Sequence, residues 1–465
     1  MAEGVAFGLI RSSRAFVCAQ LRLKELWVLT ILAILNQPVE AMRPRSTNTR
    51  THTAKQIAQI AESIRRFKFT VPILVDDENG VIAGHGRLAA AKSLGIAEVP
   101  TIRLSGMSEA EIRAYAIADN RIAERAGWDR ALLAQEFRYL AELEIDFDLT
   151  ITGFETAEID ILIEELNAAP PGEDDIPGPA ATAVTRLGDV WQIGSHRLIC
   201  GDSTQAETYA RLLGEDRADA VFTDVPYNVK VDGHVCGGGA IKHREFAMAS
   251  GEMSETQFTT FLTDVFKHLA AYSKAGSLHY QCIDWRHVGE MLTAGKAAYG
   301  ELKNICTWVK TNAGMGSLYR SQHEFVLVFK SGDEAHTNNI QLGRFGRNRS
   351  NVWNYAGVNS FGAARQDLSL HPTCKPVALV ADAIRDCTQR QGLVLDAFAG
   401  SGTTLVAAEK TGRRCAAIEL DPLYCDVILA RMQKLFGLQA HLQATGEEFF
   451  AVQAKRAAAS EEVHP

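Results

Sequence analysis

The stretch from Leu393 to Asp421, LVLDAFAGSGTTLVAAEKTGRRCAAIELD, constrains the fold most. It reads as strand, glycine turn, helix and strand, with an acid at each strand end. Asp396 closes the first strand, Gly400 and Gly402 make the turn, and Thr403 and Thr404 open the helix. Glycine lets a ligand approach the backbone, and ligands of open α/β sheets bind at the carboxyl ends of strands. No Gly-Lys-Ser/Thr follows, so the turn is not a P-loop, and the full G-x-G-x-x-G spacing is missing. A lone Gly-x-Gly would be an ordinary turn. What sharpens it is Glu419, 23 residues after Asp396, at the end of the next strand. A carboxylate there can accept both ribose hydroxyls. Acids with no base at hand suit a cationic sulfonium nucleoside better than a phosphate.

A second stretch, Asp224-Val225-Pro226-Tyr227, follows the apolar strand Ala220 to Thr223. One reading is a strand-ending turn with a core tyrosine. The other is chemical. An exocyclic amine on a nucleobase is a poor nucleophile because its lone pair is delocalised into the ring. The Asp224 carboxylate and the Val225 or Pro226 carbonyl can accept its two N–H bonds and turn the lone pair outward, a matter of positioning and charge stabilisation. Tyr227 can stack on a base drawn out of a duplex.

At 465 residues the chain exceeds one ordinary domain. Residues 1–41 read as an N-terminal extension, in which Leu26 to Leu35 is an apolar run too short to span a membrane. It reads as a buried or interfacial helix, or as an upstream segment, with a targeting signal as the alternative. Lys55 to Phe67 is apolar at helical spacing. Strands follow around Asp77-Glu78-Asn79-Gly80, then a helix over Leu88 to Leu94 opened by Gly84-His85-Gly86-Arg87, then a strand over Val99 to Leu104. Residues 106–167 are mostly helical and charged, and the Pro- and Gly-rich stretch 168–186 reads as a linker. From Leu187 onward, short apolar strands alternate with amphipathic helices, the pattern of a mainly parallel α/β sheet. Strand candidates there are His196 to Cys200, Ala220 to Thr223, Ser277 to Tyr280, Asn304 to Val309, Phe325 to Phe329, Leu393 to Leu395 and Cys415 to Ile418. Residues 341–361 fit neither period and read as an inserted loop, Gly237-Gly238-Gly239 as a lid, and the chain after Gln453 as a frayed tail.

The net charge of −8 excludes a chain that binds nucleic acid by its overall charge, so any such contact must be local. Arg43, Arg45 and Arg50 form one basic patch, and Arg344, Arg347 and Arg349 another; a solvated charged surface is the alternative for both. Nine scattered cysteines without a CxxC pair argue against a zinc site or a disulfide framework and fit a reducing cytoplasm, and His243, His279 and His323 make no metal triad. Neither a metal nor a membrane is expected as a partner.

TDVPYNV, HPTCKPV (His371 to Val377) and LDAFAGSGTT resemble the motifs of amino-methylating DNA methyltransferases. The catalytic motif precedes the cofactor motif, as in the permuted beta group, and the resemblance covers about residues 187–437. It implies a Rossmann-like domain that uses S-adenosylmethionine as cofactor and double-stranded DNA as substrate, with a homodimer as the assembly of related enzymes. Asp224 to Tyr227 would be catalytic. Asp202 would contact the cofactor adenine and Lys375 its methionine end. Asp396, Phe398, Gly400, Gly402 and Thr403 would form the glycine loop, and Glu419 would hold the ribose. Residues 331–370 take the place of the target-recognition region, where Arg344, Arg347 and Arg349 would meet phosphate or guanine edges. The family usually has Pro where this chain has Val225, which leaves the backbone carbonyl unaffected. Asp at the head of the tetrapeptide favours adenine N6, where Ser more often accompanies cytosine N4. A carbon-methylating enzyme would need a catalytic cysteine, typically after Pro, and the chain has no Pro-Cys pair. Residues 42–105 resemble the ParB/sulfiredoxin-like fold, a smaller α+β domain. Gly84-His85-Gly86-Arg87 stands where nucleotide-binding members carry Gly-Glu-Arg-Arg, so DNA contact or partner docking is expected of it more than nucleotide hydrolysis, with a small scaffold that holds no ligand as the alternative. Residues 438–465 are left as a C-terminal tail.

Overall fold

The computed structural model describes residues 32–143, 145–166, 172–229, 251–311, 313, 318–356 and 375–461. The chain divides into two compact units. One runs to Asp129 and includes Thr150–Gly153; the other holds Arg130–Leu149 and everything from Phe154 onward.

The first unit is a four-stranded sheet of β1 (Ile34–Pro38), β2 (Ile73–Val75), β3 (Val81–Ala83) and β4 (Glu98–Arg103), in the order β1-β4-β2-β3. Its helices are α1 (Ala54–Phe67), α2 (His85–Ser93) and α3 (Glu109–Glu124). The β2–β3 turn forms where Asn-Gly predicts it: Asn79 takes a φ of 63°, and Asp76 Oδ1 accepts the Gly80 N–H at 2.6 Å. Gly84 caps α2 at a φ of 105°, a conformation that a side chain would strain. The helix expected over Leu26–Leu35 is corrected at its described end. Ile34 and Leu35 open β1, which pairs antiparallel with β4 from Ile34↔Ile102 to Pro38↔Glu98. An open sheet edge offers a row of backbone hydrogen bonds that outweighs a local apolar pattern. The sheet therefore begins inside the segment read as an extension.

The second unit opens with α4 (Arg130–Glu142) and α5 (Thr156–Leu166), packed through Phe137, Phe154, Ile159 and Leu162. Its sheet holds β5 (Val190–Ile193), β6 (His196–Cys200), β7 (Ala218–Asp224), β8 (Ser273–Ile283), β9 (Glu301–Val309), β10 (His323–Lys330), β11 (Val352–Asn354), β12 (Leu393–Asp396), β13 (Arg414–Glu419) and β14 (Ala440–Leu442). The order is β11-β9-β10-β8-β7-β12-β13-β6-β5-β14. From β8 through β6 the strands run parallel; β10 and β5 turn antiparallel at either side.

Both faces of this sheet are covered, which is why its strands read as continuous apolar runs rather than alternating ones. Ala220, Phe222, Cys415 and Ala417 face α9 (Val377–Cys387), α10 (Thr403–Thr411) and α11 (Pro422–Phe436). Val221, Ala416 and Ile418 face α6 (Ala206–Leu213), α7 (Glu255–Ala271) and α8 (Val288–Ala298). The seven expected strands all form, several of them longer than expected.

Two expectations change at the ends of this unit. The linker docks over part of its length: the Lys410 ammonium lies 2.6 Å from the Glu173 carboxylate, and the Val377 N–H donates to Asp174 Oδ1 at 3.0 Å. Acidic residues that cannot build a core can still satisfy helix starts and lysines. The tail folds as α12 (Phe449–Glu461), with Phe449 against Trp191 at 5.4 Å between ring centroids and Arg456 paired with Asp189. No described helix is long and apolar enough to cross a membrane.

Candidate active site

The carboxyl ends of β6, β13, β12 and β7 lie side by side, and each delivers an acid that the sequence singles out: Asp202 just past β6, Glu419, Asp396 and Asp224. Two hydrogen bonds join the two principal motifs directly, and the Ala397 N–H donates the longer one to Thr223 Oγ1 at 3.2 Å. Thr223 Oγ1 donates to Asp396 Oδ1 at 2.8 Å, although the residues lie 173 positions apart.

On the β12 side, Asp396 organises the turn. Thr404 Oγ1 donates to its Oδ2 at 2.6 Å and the Phe398 N–H to its Oδ1 at 3.1 Å. The Thr403 hydroxyl instead faces Arg431 at 3.4 Å. The guanidinium of Arg431 also donates to the Ser401 carbonyl at 3.0 Å and so holds the turn from below. Gly402 has a φ of 82°, and a Cβ there would meet Ile428 at 3.0 Å, so both conformation and space require glycine. Glu419 accepts the Gly400 N–H at 2.8 Å and the Asp421 N–H at 2.9 Å, which leaves lone pairs on both oxygens. Asp202 accepts from the Thr204 N–H and hydroxyl, both at 2.8 Å. Burial pushes the Asp396 carboxyl up to about 6 and the Glu419 carboxyl up to about 7, with neighbouring hydroxyl and N–H donors opposing it only partly. No cation is among the groups that set either value.

On the β7 side the arrangement is ionic. Lys375 Nζ lies 2.6 Å from Asp224 Oδ2, 3.1 Å from Glu324 Oε2 and 3.0 Å from the Tyr227 hydroxyl. That hydroxyl is 2.8 Å from both Asp224 Oδ1 and Glu324 Oε2. Lys310 closes the group with a short contact to Glu324 Oε1. Burial favours neutral carboxyls, but the Lys375 and Lys310 ammoniums outweigh it at Glu324 and hold that acid at about 2. At Asp224 burial wins, with Lys375 opposing and the Glu324 charge reinforcing it, so this acid is raised. For Lys375, burial works downward, but Asp224 and then Glu324 outweigh it and keep the ammonium charged. Val225 is buried in the core cluster that also holds Phe258 and Ile283. Asn228 fastens the following loop by accepting the Gly251 and Met253 N–H groups at 3.1 and 3.2 Å. The Gly237–Gly239 lid and His371–Cys374 of the late motif lie outside the described residues.

The DNA methylase family model matches residues 218–430. The ParB N-terminal domain model matches 32–121 and the ParB-methyltransferase HTH domain model matches 131–187. The chain carries a DNA methylase domain. Among similar proteins, the ParB-like nuclease domain-containing protein YnaK of Escherichia coli (strain K12) is 44% identical over 78 residues, 17% of this chain and 90% of that protein. The type II methyltransferase M.HpaI of Haemophilus parainfluenzae is 24% identical over 255 residues, 52% of this chain and 75% of that one. M.ScaI of Streptomyces caespitosus, also a type II methyltransferase, is 34% identical over 96 residues, 20% of this chain and 31% of that one. Among solved structures, PvuII DNA methyltransferase (cytosine-N4-specific) is 15% identical with a TM-score of 0.38, covering 57% of this chain and 94% of that one. The cofactor of the methylase domain is S-adenosylmethionine, and the donor set described above fits it: acids without a paired cation, beside a glycine turn, for a nucleoside that carries positive charge.

Two site expectations of the methylase domain are corrected. Arg347 and Arg349 turn inward. Arg347 pairs with Asp386 at 2.6 Å and Asp382 at 3.3 Å, and Arg349 with the same two acids at 2.7 and 3.0 Å. The acids lie on α9, so these arginines bind the loop to the core instead of facing phosphate. Arg344 alone of the three is exposed, its guanidinium 5.1 Å from the Phe345 ring centroid. Glu324 and Lys310 went unrecognised in the sequence. Their only signal there is an acid directly before the apolar run Phe325 to Phe329.

In the ParB-like unit, Arg45 pairs with Glu109 at 2.6 Å, and Arg50 donates to Asn120 at 2.8 Å. His85, the second residue of the Gly-His-Gly-Arg box, accepts the Arg45 N–H at 3.4 Å, and burial, then His52 and Arg45, lower its pKa.

Proposed function

We propose that this chain methylates the exocyclic N6 amine of adenine in a base flipped out of double-stranded DNA, inside the cytoplasm. The observation that carries the reading is the Thr223–Asp396 hydrogen bond, which sets the amine-binding tetrapeptide beside the glycine turn. S-adenosylmethionine supplies, when bound, an electrophilic methyl group on a sulfonium. The chain's part is to aim a nucleophile at it. Asp224 and the Val225 or Pro226 carbonyl accept the two N–H bonds of the amine, so its lone pair leaves the ring system. Transfer would break the sulfur–methyl bond and leave a neutral thioether; the nitrogen that gains the methyl group becomes cationic, the Asp224 carboxylate stabilises that charge, and the proton then passes from the nitrogen to water. Tyr227 stacks on the extruded base. Glu419 holds the ribose, Asp202 the adenine and the Phe398 ring one wall of the pocket. Adenine is favoured over cytosine by the aspartate that heads the tetrapeptide.

The test is to incubate the purified chain with DNA and S-adenosylmethionine carrying a labelled methyl group, digest to nucleosides and identify the labelled one. N6-methyldeoxyadenosine is expected. N4-methyldeoxycytidine would move the target to the other amine, and an unlabelled digest would overturn the transferase reading.

A further inference from the structure

Asp224 is already occupied. One of its oxygens lies 2.6 Å from the Lys375 ammonium and the other 2.8 Å from the Tyr227 hydroxyl. An incoming amine must bond to this same carboxylate and then become cationic. An ammonium resting on the same oxygen would compete for the lone pairs and repel the developing charge.

Glu324 offers a way out. It is buried, at 8% exposure, and lies on β10, outside every motif read from the sequence. Its Oε2 is within 3.1 Å of the Lys375 ammonium and 2.8 Å of the Tyr227 hydroxyl, the two donors that hold Asp224. The hydroxyl has one proton and can serve one acid at a time. Lys310 occupies the other oxygen of Glu324, so Oε2 is the one that faces the site. On the transferase reading given above, we infer that Glu324 is a positioning residue: it takes over Lys375 and the Tyr227 hydroxyl when the base arrives, and so frees Asp224 to bind the amine. The exchange needs only small shifts, because both donors already touch both acids. Lys375 keeps an ionic partner throughout, and Asp224 exchanges its two donors for the N–H bonds of the amine. The low pKa of Glu324 and the raised one of Asp224 give the exchange its direction, since Glu324 is the firmer counter-ion.

A double-mutant cycle on the full chain tests this, read as the single-turnover rate of methyl transfer to DNA at saturating S-adenosylmethionine. Glu324→Gln keeps the shape and removes the charge. Its rate should fall on the order of 10²-fold, as for loss of a preorganised electrostatic partner, with cofactor affinity by calorimetry within a few-fold of wild type. In a Lys375→Met background there is no ammonium to move, so adding Glu324→Gln should change the rate by less than about threefold. A residue that merely supports the fold would cost the same in both backgrounds. That result, or a wild-type rate in Glu324→Gln, overturns the inference. If Glu324→Gln does not fold, Glu324→Asp goes through the same cycle, with a smaller loss expected only beside Lys375. Wild type separates the two claims. A wild type that transfers no methyl group sinks the transferase reading and this inference together, whereas an active wild type without coupling sinks this inference alone.

Discussion

Two pairs of acids, one member of each buried and the other half-buried, stand near the strand ends of the site, and they are solved in opposite ways. Asp396 and Glu419 are satisfied by hydroxyl and N–H donors alone and are pushed up to about 6 and about 7. Asp224 and Glu324 share the Lys375 ammonium, and Lys310 adds a second cation to Glu324. The first pair lacks positive charge and gains from a ligand that brings it. The second already has its counter-ion, so a substrate there must displace something. On the proposed function, a cofactor site and a reaction site differ here less in residue type than in whether the charge is already balanced.

The sharpest way to break this comparison is to remove Asp224, the acid to which the proposed function gives the chemistry. Asp224→Ala should lower the single-turnover rate by about 10³-fold or more, since the amine loses both its acceptor and its charge stabilisation. Cofactor affinity should stay within a few-fold, measured by calorimetry. Full activity in that variant would remove Asp224 from the mechanism. Glu419→Gln tests the other side. It exchanges a charged acceptor for a neutral one and should weaken S-adenosylmethionine by about 10- to 100-fold, in line with the roughly 1.5–3 kcal/mol of a hydrogen bond to a charged group. The rate at saturating cofactor should change far less than in Asp224→Ala.

A pH series sharpens the contrast further. A cation binds the ionised form of Glu419, so cofactor affinity should rise by up to about tenfold per pH unit below pH 7 and level off above it. Calorimetry across that range reads it, and the rise should flatten in Glu419→Gln. Without cofactor the sign reverses. The folded chain holds its proton on Glu419 up to about 7, whereas the unfolded chain releases it near the ordinary glutamate value of 4.5. The native state therefore binds more protons across that window, and this group's contribution to stability falls as pH rises through it.

The cofactor side was legible in the sequence because its constraints are local. Asp396, Gly402 and Glu419 sit at turns and strand ends, where chain direction and residue type announce themselves. The Asp224 tetrapeptide was legible for the same reason. Glu324 was not, because its role depends on β10 lying antiparallel beside β8 and so bringing it to Lys375, far away in sequence. The inward turn of Arg347 and Arg349 depends likewise on acids of α9 that no local pattern connects to them. Strand β1 and helix α12 were missed where tertiary partners, the edge of β4 and the Trp191 ring, outweigh weak local signals. What sequence reasoning recovers is what one segment dictates; what it misses is set by pairing between segments.

The same division gives the smallest expected effect. Arg344 remains exposed while its two neighbours are tied to Asp382 and Asp386, so it is the one arginine of the three placed to meet a phosphate. Each phosphate neutralised contributes about −0.9 to the slope of log affinity against log salt on duplex DNA. Arg344→Ala should therefore weaken DNA binding only a few-fold and reduce that slope by about 1, measured by titration at several salt concentrations. Arg347→Met should leave the slope alone and lower the melting temperature, because it removes one of the two guanidiniums that pair with the buried Asp386 carboxylate. An altered slope in Arg347→Met with an unchanged slope in Arg344→Ala would mean that the loop turns itself inside out on DNA.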